Sequence, residues 1–275
     1  MFQRPDYTYI IDFEKWDVKN FLNDEANPLG RIVRLIPDGS KVLDIGAGNG
    51  ILGWLISNLH KNTVIDGVEP SVIGSQTTAK YYRHFYNVFF QEIKTQILQQ
   101  NYDYIVMADV IEHISDPYSF LKDLVEGLSD KTKIIMSIPN IAHGSVRLSL
   151  LNGNFDYVDS GLLERTHLRF FTRKTIESLV EKLNLHMILI FCLQRSFHVD
   201  TLKQVFSLSF CSLMHLLRNK EALVYQYIVV ITKDDKTPFV EYSFGCQSVS
   251  LLQYCNLKLI NNARALLKRL LKRNA

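Results

Sequence analysis

The chain has 275 residues, 47% of them apolar, and a formal net charge of +3. This length is sufficient for one large hydrophobic core, and it permits a second domain without requiring one. Six Lys and Arg residues follow Pro238 against a single acidic residue, Glu241, so the rest of the chain is slightly acidic. Because a long nucleic acid is bound through many phosphate contacts, this distribution argues against such a partner.

The first residues and the cysteines indicate the compartment. The opening sequence MFQRPDYTYIIDFEKW carries charges where a secretory signal would have an apolar run. The four cysteines contain no CxxC pair, which argues against a disulfide framework or a zinc knuckle. The uncharged run at residues 204–217 is too short to span a bilayer. We therefore predict a cytoplasmic protein without a transmembrane segment.

In chain order, short β-branched runs alternate with amphipathic segments. The predicted strands are KVLDIGA, NTVIDGVEP, NVFFQE, YDYIVMADV, TKIIMSIPN, HMILIFCLQ and ALVYQYIVVITKDD. Helical spacing marks GILGWLISNLHKN, DPYSFLKDLVEGLSDK with its Asp-Pro start, and TRKTIESLVEKLNL, where Thr172 is a predicted N-cap. This βαβ pattern predicts an α/β, Rossmann-like sheet of seven strands, mostly parallel, with the last strand antiparallel.

The chain divides into three predicted regions. Residues 37–235 form the α/β domain. Residues 1–36, rich in Tyr, Phe and Asp, are expected to form an N-terminal cap that folds over the crevice as a substrate lid. Residues 236–275 are predicted to form a basic C-terminal tail with leucines at positions 266, 267, 270 and 271. Such a helix fits an anionic membrane surface or a partner protein, unless it stays solvated.

Three glycines stand at alternate positions between the first strand and its helix. Gly46, Gly48 and Gly50 let the backbone turn tightly and approach a ligand, and the helix that follows favours a polar or anionic group. The dinucleotide fingerprint would need a third glycine or an alanine at Ile51, so NAD is disfavoured. Instead, Asp44 precedes the loop, and Glu69, after the next strand, can accept both hydroxyls of a ribose.

The stretches VLDIGAGNG, GVEPS and YDYIVMADVIEHISDP resemble the class I S-adenosylmethionine-dependent methyltransferases over roughly residues 30 to 235. The resemblance implies the class I methyltransferase fold, with S-adenosylmethionine as cofactor. It implies that Asp44 and the loop glycines hold the methionine part and the ribose edge, and that Glu69 holds the ribose diol. Gln91 or Glu92, in a loop after NVFF, would contact the adenine amino group, although the usual Gly-Asp is absent there. Ala108 and Asp109 would line the methionine side.

A second stretch, SIPNIAHGSVRLSLLNGNFDYVDSGLLERTHLRFFTRKTI, resembles a subgroup found beside, or fused to, glycosyltransferases of surface-polysaccharide assembly. This resemblance implies a small-molecule or glycan acceptor, with O-methylation of a sugar in polysaccharide biosynthesis as the expected reaction. It also implies a glycosyltransferase as a possible partner. The residues themselves leave the acceptor open among a sugar hydroxyl, a sugar amine, a phosphate and a carboxylate.

Three histidines are candidates for acid–base chemistry. A sugar hydroxyl is a poor nucleophile, so a general base within hydrogen-bond reach would help its attack on the methyl group. His113 ends the fourth predicted strand and His143 follows the fifth, where strand ends open into the crevice, so both rank above His167 as catalytic residues. Each can also have a purely structural role. Arg165, His167 and Arg169 form either a structural clamp or a site for a phosphate or carboxylate.

Asp109, Glu112 and His113 have the i, i+3, i+4 spacing of a metal cluster. The pattern resembles the metal site of small-RNA 3′-end methyltransferases, but Ile114 stands where that family has a second histidine. We therefore predict no metal. Two alternatives to methyl transfer stay open at this point, namely a non-catalytic methyltransferase-like scaffold subunit of a glycosyltransferase complex and an NAD-dependent sugar oxidoreductase.

Overall fold

The computed structural model describes residues 13–71, 78–195 and 219–245. Some sequence predictions lie outside these ranges, namely the first part of the N-terminal cap, the uncharged run at 204–217 and the tail from residue 246 onward. Within the described ranges, Cys192 is buried and free. No helix of the described ranges has the length and apolarity needed to cross a membrane.

Eight strands form one sheet. They are β1 (Lys41–Ile45), β2 (Val64–Val68), β3 (His84–Tyr86), β4 (Tyr104–Ala108), β5 (Lys133–Pro139), β6 (His186–Gln194), β7 (Val224–Thr232) and β8 (Val240–Gly245). Their order is β3-β2-β1-β4-β5-β7-β6-β8, and β7 runs antiparallel to both neighbours while the other pairs are parallel. The predicted α/β, mostly parallel sheet is confirmed, with one strand more than the seven predicted.

The additional strand, β8, lies in the segment predicted to be the basic tail. It pairs in parallel with β6 at the edge of the sheet. Tyr242 and Phe244 each place their ring 5.4 Å from the ring of Phe191, and the guanidinium of Arg31 lies 3.6 Å from the Phe244 ring centroid. The alternating apolar residues of this segment therefore cover β6, and a tail beginning at residue 236 is wrong for residues 240–245.

Seven α-helices pack around the sheet in the described ranges: α1 (Val18–Asn23), α2 (Pro28–Arg34), α3 (Ile51–Leu59), α4 (Phe90–Leu98), α5 (Pro117–Glu126), α6 (Gly144–Leu151) and α7 (Arg173–Lys182). The predicted starts of two helices are confirmed. The Asp116 side chain accepts a hydrogen bond from the Ser119 amide at the start of α5, and Thr172 caps α7 through the Thr175 amide. Both caps satisfy amides that have no partner within the helix.

The NVFFQE segment was predicted to be a strand, and this prediction is wrong. The strand lies three residues earlier, at β3, and α4 begins at Phe90. Phe90 is buried against Phe120, with ring centroids 5.5 Å apart. A short apolar run fits a buried helix turn as well as a strand, and here packing between α4 and α5 decided the outcome. Gln91 and Glu92 therefore lie in the first turn of a helix and not in a loop.

Two hydrophobic clusters cover the two faces of the sheet. The described part of the predicted cap contributes to one of them, because Ile32, Val33 and Ile36 are fully buried there together with Val42 of β1. Phe13 packs against Trp54 of α3, with ring centroids 5.4 Å apart. Residues 13–36 thus contribute several side chains to the packed core, and the role of this segment as a substrate lid stays a prediction.

Candidate active site

The sheet brings most of the predicted cofactor residues to one edge. β1 lies between β2 and β4, and the chain moves outward from β1 in opposite directions on the two sides. The carboxyl ends of parallel strands at such a switch point form a crevice that commonly binds ligands. The glycine loop follows β1, Glu69 follows β2, and Ala108 ends β4 with Asp109 directly after it. The crevice is therefore lined by residues from three neighbouring strands.

The glycine loop needs its glycines for two different reasons. Gly46, Gly48 and Gly50 have φ values of +78°, +53° and +84°, a region that side chains rarely adopt. A Cβ at Gly46 would lie 2.5 Å from Cγ2 of Val110, so the backbone of the loop rests directly on the segment after β4. A Cβ at Gly48 would have only the Gly46 carbonyl oxygen near it, at 3.9 Å. Gly48 therefore faces open space where a ligand can approach the backbone.

Glu69 is fully buried and tied to this loop. Its Oε2 atom accepts a hydrogen bond from the Gly48 amide, and Oε1 accepts one from the Ser71 amide, each at 2.8 Å. Burial raises the pKa of the Glu69 carboxyl, and the two amide bonds oppose that rise. A carboxylate can accept about four hydrogen bonds. Each oxygen therefore retains capacity for one further donor, which matches a pair of neighbouring hydroxyls.

Asp44 lies under the loop at the fourth position of β1. Its Oδ2 atom accepts a hydrogen bond of 2.7 Å from the hydroxyl of Tyr82. Burial raises the pKa of Asp44 to about 7, the Tyr82 bond opposes the rise, and the nearby charge of Glu69 adds to it. Tyr82 and Asn87, whose amide nitrogen donates to the Glu69 and Ser71 carbonyls at 2.8 Å, were missed from the sequence. No motif marks either residue, because both act only through tertiary contacts.

Asp109 has a positive φ of +56° and follows Ala108 at the end of β4. Its Oδ1 atom accepts hydrogen bonds from the Ser137 hydroxyl, at 2.9 Å, and from the side-chain amide of Gln226. The surrounding protein desolvates this carboxyl and raises its pKa to about 6, yet the residue stays accessible to solvent. Asp109 thus lines an open crevice and is mostly ionised at neutral pH.

Glu92 is not brought to the loop by any contact in the described ranges. Its Oε1 atom accepts a hydrogen bond of 3.0 Å from the Phe89 amide and so caps α4. Gln91 and Glu92 are both exposed in the first turn of this helix. The adenine contact inferred for this pair stays a prediction.

His143 is buried at the N-terminus of α6. Its Nδ1 atom lies 2.8 Å from the Ser145 hydroxyl and 3.3 Å from the Ser145 amide, which donates to it. Nε2 lies 3.2 Å from the Arg195 carbonyl oxygen, and the ring meets Tyr225 edge-on at 5.5 Å. Nδ1 therefore caps the helix, and Nε2 is held by the residue that follows β6. The catalytic role of His143 stays a prediction, and it would require the ring to leave these partners.

His113 lies in the short 3-10 turn Ile111–His113 and meets His167, with ring centroids 4.9 Å apart. Its Nδ1 atom lies 3.0 Å from the Thr166 carbonyl oxygen, and Nδ1 of His167 lies 3.2 Å from that of Leu162. Glu112 is 1% exposed, and neither of its carboxylate oxygens has a hydrogen-bond partner among the described residues. We call Glu112, His113 and His167 the Glu–His–His cluster.

Backbone bonds hold the cluster together. The Glu112 carbonyl oxygen accepts hydrogen bonds from the Leu168 and Arg169 amides, at 2.8 and 2.9 Å. Arg169 also donates through Nε to the Ser115 carbonyl at 2.8 Å, while Arg165 pairs with exposed Asp159 at 3.0 Å. Arg169 therefore acts as the clamp that the sequence suggested. Arg165 is exposed and lies beside a neighbouring cavity.

A cavity of about 420 Å³ adjoins the cluster. It is lined by Tyr157, Arg165, His167, Leu168 and Phe170. A larger cavity, of about 640 Å³, lies at the amino end of β6 beside α7. That end of the strand is opposite the glycine loop, so the larger cavity is remote from the crevice. The smaller one shares His167 with the cluster, and we call it the His167 cavity.

Comparison with known proteins agrees with this site. Residues 19–190, more than half of the chain, match the family described as a methyltransferase domain, and the chain belongs to this family. A crystal structure of an S-adenosylmethionine-dependent methyltransferase from Archaeoglobus fulgidus superposes with a TM-score of 0.51 at 15% identity, covering 83% of this chain and 100% of that one. The class I methyltransferase fold is thereby confirmed.

Curated relatives match about half of the chain. They include an (S)-tetrahydroprotoberberine N-methyltransferase of Eschscholzia californica, 27% identical over 45% of this chain and 35% of that protein. The mitochondrial ubiquinone biosynthesis O-methyltransferase of Homo sapiens is 24% identical over 52% of this chain and 40% of its own length. The ubiquinone biosynthesis O-methyltransferase of Glaesserella parasuis is 24% identical over 54% and 61%. The chain therefore spans about a third to three fifths of these relatives.

The chain thus carries a methyltransferase domain of the class I fold, for which S-adenosylmethionine is the cofactor. The residues of the crevice fit this cofactor on three counts. Gly48 leaves open space above its backbone, Glu69 keeps two acceptor positions that no described residue uses, and Asp109 is an exposed acidic residue. The open backbone at Gly48 suits the nucleoside. The Glu69 carboxylate suits the ribose hydroxyls, and the Asp109 carboxylate suits the cationic methionine part. We therefore do not retain the alternative of an NAD-dependent sugar oxidoreductase.

Proposed function

We propose that this methyltransferase O-methylates a sugar hydroxyl of a glycan during surface-polysaccharide biosynthesis in the cytoplasm. The observation that carries the proposal is the His167 cavity, which joins aromatic rings, an arginine and a histidine beside the crevice. The flat apolar faces of a sugar pack well on rings such as those of Tyr157 and Phe170. Arg165 at the rim suits a phosphate or carboxylate on the acceptor.

The cofactor site consists, in this proposal, of Asp44, Gly46, Gly48, Gly50, Glu69, Glu92, Ala108 and Asp109. Bound S-adenosylmethionine supplies an activated methyl group, whose bond to sulfur breaks with the electron pair staying on sulfur. Glu69 accepts the ribose hydroxyls, and the Gly48 backbone leaves room for the ligand. Asp109 faces the cationic methionine part, where an opposite charge is favourable. These groups mainly align the methyl carbon, and alignment is the largest contribution a protein makes to such a displacement.

The acceptor side consists of the Glu–His–His cluster and the His167 cavity. The attacking oxygen forms a bond to the methyl carbon, and its O–H bond breaks. Burial, with a smaller effect of His167, lowers the pKa of His113, so this ring is neutral at pH 7 and its Nε2 atom can take that proton as a general base. His143 is buried and caps α6, so His113 is the first of the two predicted catalytic histidines to test.

Two relatives named as ubiquinone biosynthesis O-methyltransferases support oxygen as the attacked atom, whereas the plant relative is named as an N-methyltransferase. The proposal therefore needs an acceptor screen that separates these classes. The purified full chain is incubated with methyl-labelled S-adenosylmethionine and with nucleotide-sugars, polysaccharide-repeat oligosaccharides, amino sugars and phenols. We expect labelled methoxy groups on the sugars, assigned by nuclear magnetic resonance. Methylation of phenols or amines alone would overturn the proposal.

A variant links the acceptor to the cavity. Tyr157→Ala removes one ring of the wall, and we expect kcat/KM for the sugar to fall by roughly tenfold or more, with S-adenosylhomocysteine binding unchanged. Tyr118→Ala on α5 removes a similarly exposed tyrosine outside the cavity and serves as the matched control. An equal loss in both variants would contradict the placement of the acceptor.

We also propose that residues 246–275, which lie outside the described residues, bring the enzyme to an anionic membrane surface. Their basic residues and leucines carry this proposal, and a lipid-linked glycan would then be close at hand. Flotation of the full chain with phosphatidylglycerol vesicles, compared with phosphatidylcholine vesicles, tests it. Binding to anionic vesicles that is lost on removal of residues 246–275 is expected. Recovery with a co-expressed glycosyltransferase but not with vesicles would favour a protein partner instead.

A further inference from the structure

We propose that Glu112, His113 and His167 bind one divalent transition-metal ion beside the His167 cavity. The three side chains each offer a ligand atom, and these atoms lie within 4.8 Å of one another. Ligands of one such ion stand about 2.1 Å from it, so two of them are separated by roughly 3 to 4 Å. Small side-chain rotations would bring the three to bonding distance.

Glu112 supplies the first independent support. The side chain is fully buried, and neither carboxylate oxygen has a hydrogen-bond partner in the described ranges. Burial, and then the charge of Asp109, raise the pKa of Glu112 well above its usual range. A buried carboxylate of this kind is neutralised either by a proton or by a cation. Arg165 and Arg169, which flank His167 in sequence, have other partners, because Arg165 pairs with Asp159 and Arg169 with the Ser115 carbonyl.

The two histidines supply the second independent support for the metal site. Nδ1 of His113 lies at hydrogen-bond distance from the Thr166 carbonyl, and Nδ1 of His167 from that of Leu162. A carbonyl only accepts, so Nδ1 carries the hydrogen on both rings and Nε2 is left with its lone pair. Histidines that bind metals usually donate their other ring hydrogen to a carbonyl in this way. Burial also lowers the pKa of both rings, which keeps them in the neutral form that binds an ion.

The sequence predicted no metal because Ile114 occupies the place of a second histidine after His113. The fold supplies that histidine from elsewhere, since the backbone bonds from Leu168 and Arg169 to the Glu112 carbonyl hold His167 beside His113. One carboxylate and two imidazoles suit Zn²⁺, Mn²⁺, Fe²⁺ or Co²⁺, whereas Mg²⁺ and Ca²⁺ prefer oxygen ligands.

Three protein ligands leave at least one coordination position open. His167 also lines the neighbouring cavity, so an acceptor hydroxyl there could occupy that position. This part rests on the proposed function: coordination would lower the pKa of the hydroxyl, its proton would pass to water, and its oxygen would attack the methyl carbon. His113 would then assist by holding the ion and not by taking the proton itself.

Metal titration of the full chain tests the site without cofactor or acceptor. Any histidine tag is removed, the protein is stripped with a chelator, and Zn²⁺ and Co²⁺ are titrated by calorimetry and visible absorption. We expect one ion per chain with micromolar or tighter affinity. Glu112→Gln and His167→Gln should each weaken binding at least tenfold, while Glu126→Gln and His186→Gln, exposed and away from the cluster, should not.

Two results would overturn the metal site. One is the lack of stoichiometric binding; the other is binding that is unchanged in both cluster variants when circular dichroism shows them folded. The outcome is separable from that of the proposed function. Sugar methylation that persists in chelator, with no ion bound, would support the proposed function and contradict the metal site. An ion bound at the cluster with no sugar methylated would support the metal site and contradict the proposed function.

Discussion

The hydroxyl of Tyr82 donates a 2.7 Å hydrogen bond to the Oδ2 atom of Asp44, directly under the glycine loop. Two glycines make room for this phenol, since a Cβ at Gly53 or at Gly67 would lie 2.7 or 2.8 Å from its ring. The pair connects β1 to the segment before β3 through one buried contact. It therefore fixes the carboxylate at the position where the cofactor residues converge.

Tyr82→Phe removes the donor and keeps the ring. A buried acceptor that loses its partner costs about 1–3 kcal/mol, and more when it is charged. We expect a loss of that size in the free energy of unfolding, measured in urea. Tyr102→Phe is a useful comparison, because its hydroxyl also donates to a buried aspartate, Asp66, but Asp66 keeps Arg83 as a partner. A loss for Tyr82→Phe below that for Tyr102→Phe would contradict the argument.

Asp44 also makes stability depend on pH. Its folded-state pKa, about 7, lies above the unfolded value near 3.9, so the folded chain binds this proton more tightly. The contribution of Asp44 to stability is therefore full below about pH 4 and falls as pH rises to about 7. Asp44→Asn removes the titration while keeping the shape. Relative to the natural chain, we expect this variant to gain stability between pH 5 and pH 8, by on the order of 1–3 kcal/mol.

A flat difference between the two chains across this range would show that Asp44 does not change its charge there. Glu69 and Glu112 also have raised pKa values, but they are present in both chains. Their contributions cancel in the difference apart from the charge interaction of Glu69 with Asp44. The comparison therefore isolates one carboxyl.

The contact between Gly46 and Val110 predicts a coupling that can be measured. Gly46→Ala would place its Cβ 2.5 Å from Val110 Cγ2 in addition to the strain of a positive φ. Gly39→Ala has a similar φ, +77°, with nothing within 4 Å, and gives the strain alone, about 1 kcal/mol. We expect Gly46→Ala to be clearly worse than Gly39→Ala, and the excess to shrink in a Val110→Ala background. Additive effects of the two changes would contradict the contact.

Glu69→Gln tests the proposed ribose site. The glutamine keeps the size of the side chain, but its nitrogen cannot accept from both an amide and a hydroxyl. Hydrogen bonds to charged groups contribute about 1.5–3 kcal/mol, so S-adenosylhomocysteine should bind roughly ten- to a hundredfold more weakly by calorimetry. Glu126→Gln, exposed on α5, is the control. Unaltered affinity in a folded Glu69→Gln protein would remove Glu69 from the cofactor site.

The edge strand β8 depends on one arginine. Arg173 of α7 donates to both oxygens of Glu241, at 2.9 and 2.8 Å, and to Glu177 at 2.8 Å. Lysine cannot form this fork, so Arg173→Lys should speed hydrogen exchange at the amides of residues 241–244, while Lys174→Arg next to it should not. Unchanged protection of β8 would mean that the aromatic contacts with Phe191 hold the strand alone.

The mostly parallel α/β sheet could be predicted because βαβ alternation and strand propensity act locally. Two boundaries could not. The NVFF run is apolar in a way that suits either a strand or a buried helix turn, and only the contact between Phe90 and Phe120 distinguishes them. The strand at Val240–Gly245 alternates apolar and polar residues. Because a strongly basic segment follows it, the composition of the whole region favoured a tail over a strand.

The positions of Glu69 and Asp109 at the crevice could be predicted, because each residue follows directly from a strand end. The site could not be predicted where the role of a residue depends on tertiary partners. His143 occupies a promising sequence position, yet its Nδ1 caps a helix and its Nε2 contacts the Arg195 carbonyl. Glu112 and His167 are far apart in sequence. No sequence signal shows that the Glu112 carboxylate lacks a hydrogen-bond partner among the described residues, or that His167 lies beside His113.

The short segment after β4 carries residues of both sides of the reaction. Asp109 faces the proposed cofactor site, while Glu112 and His113 belong to the proposed acceptor side and lie in the 3-10 turn Ile111–His113, which begins just after Asp109 and Val110. The spacing between donor and acceptor is therefore set by covalent geometry and not by the packing of distant loops. Residues 152–166 are largely exposed and can change while the amides of Leu168 and Arg169 keep the Glu112 carbonyl in place. Such a chain can acquire a new acceptor in evolution without rebuilding the distance over which the methyl group moves.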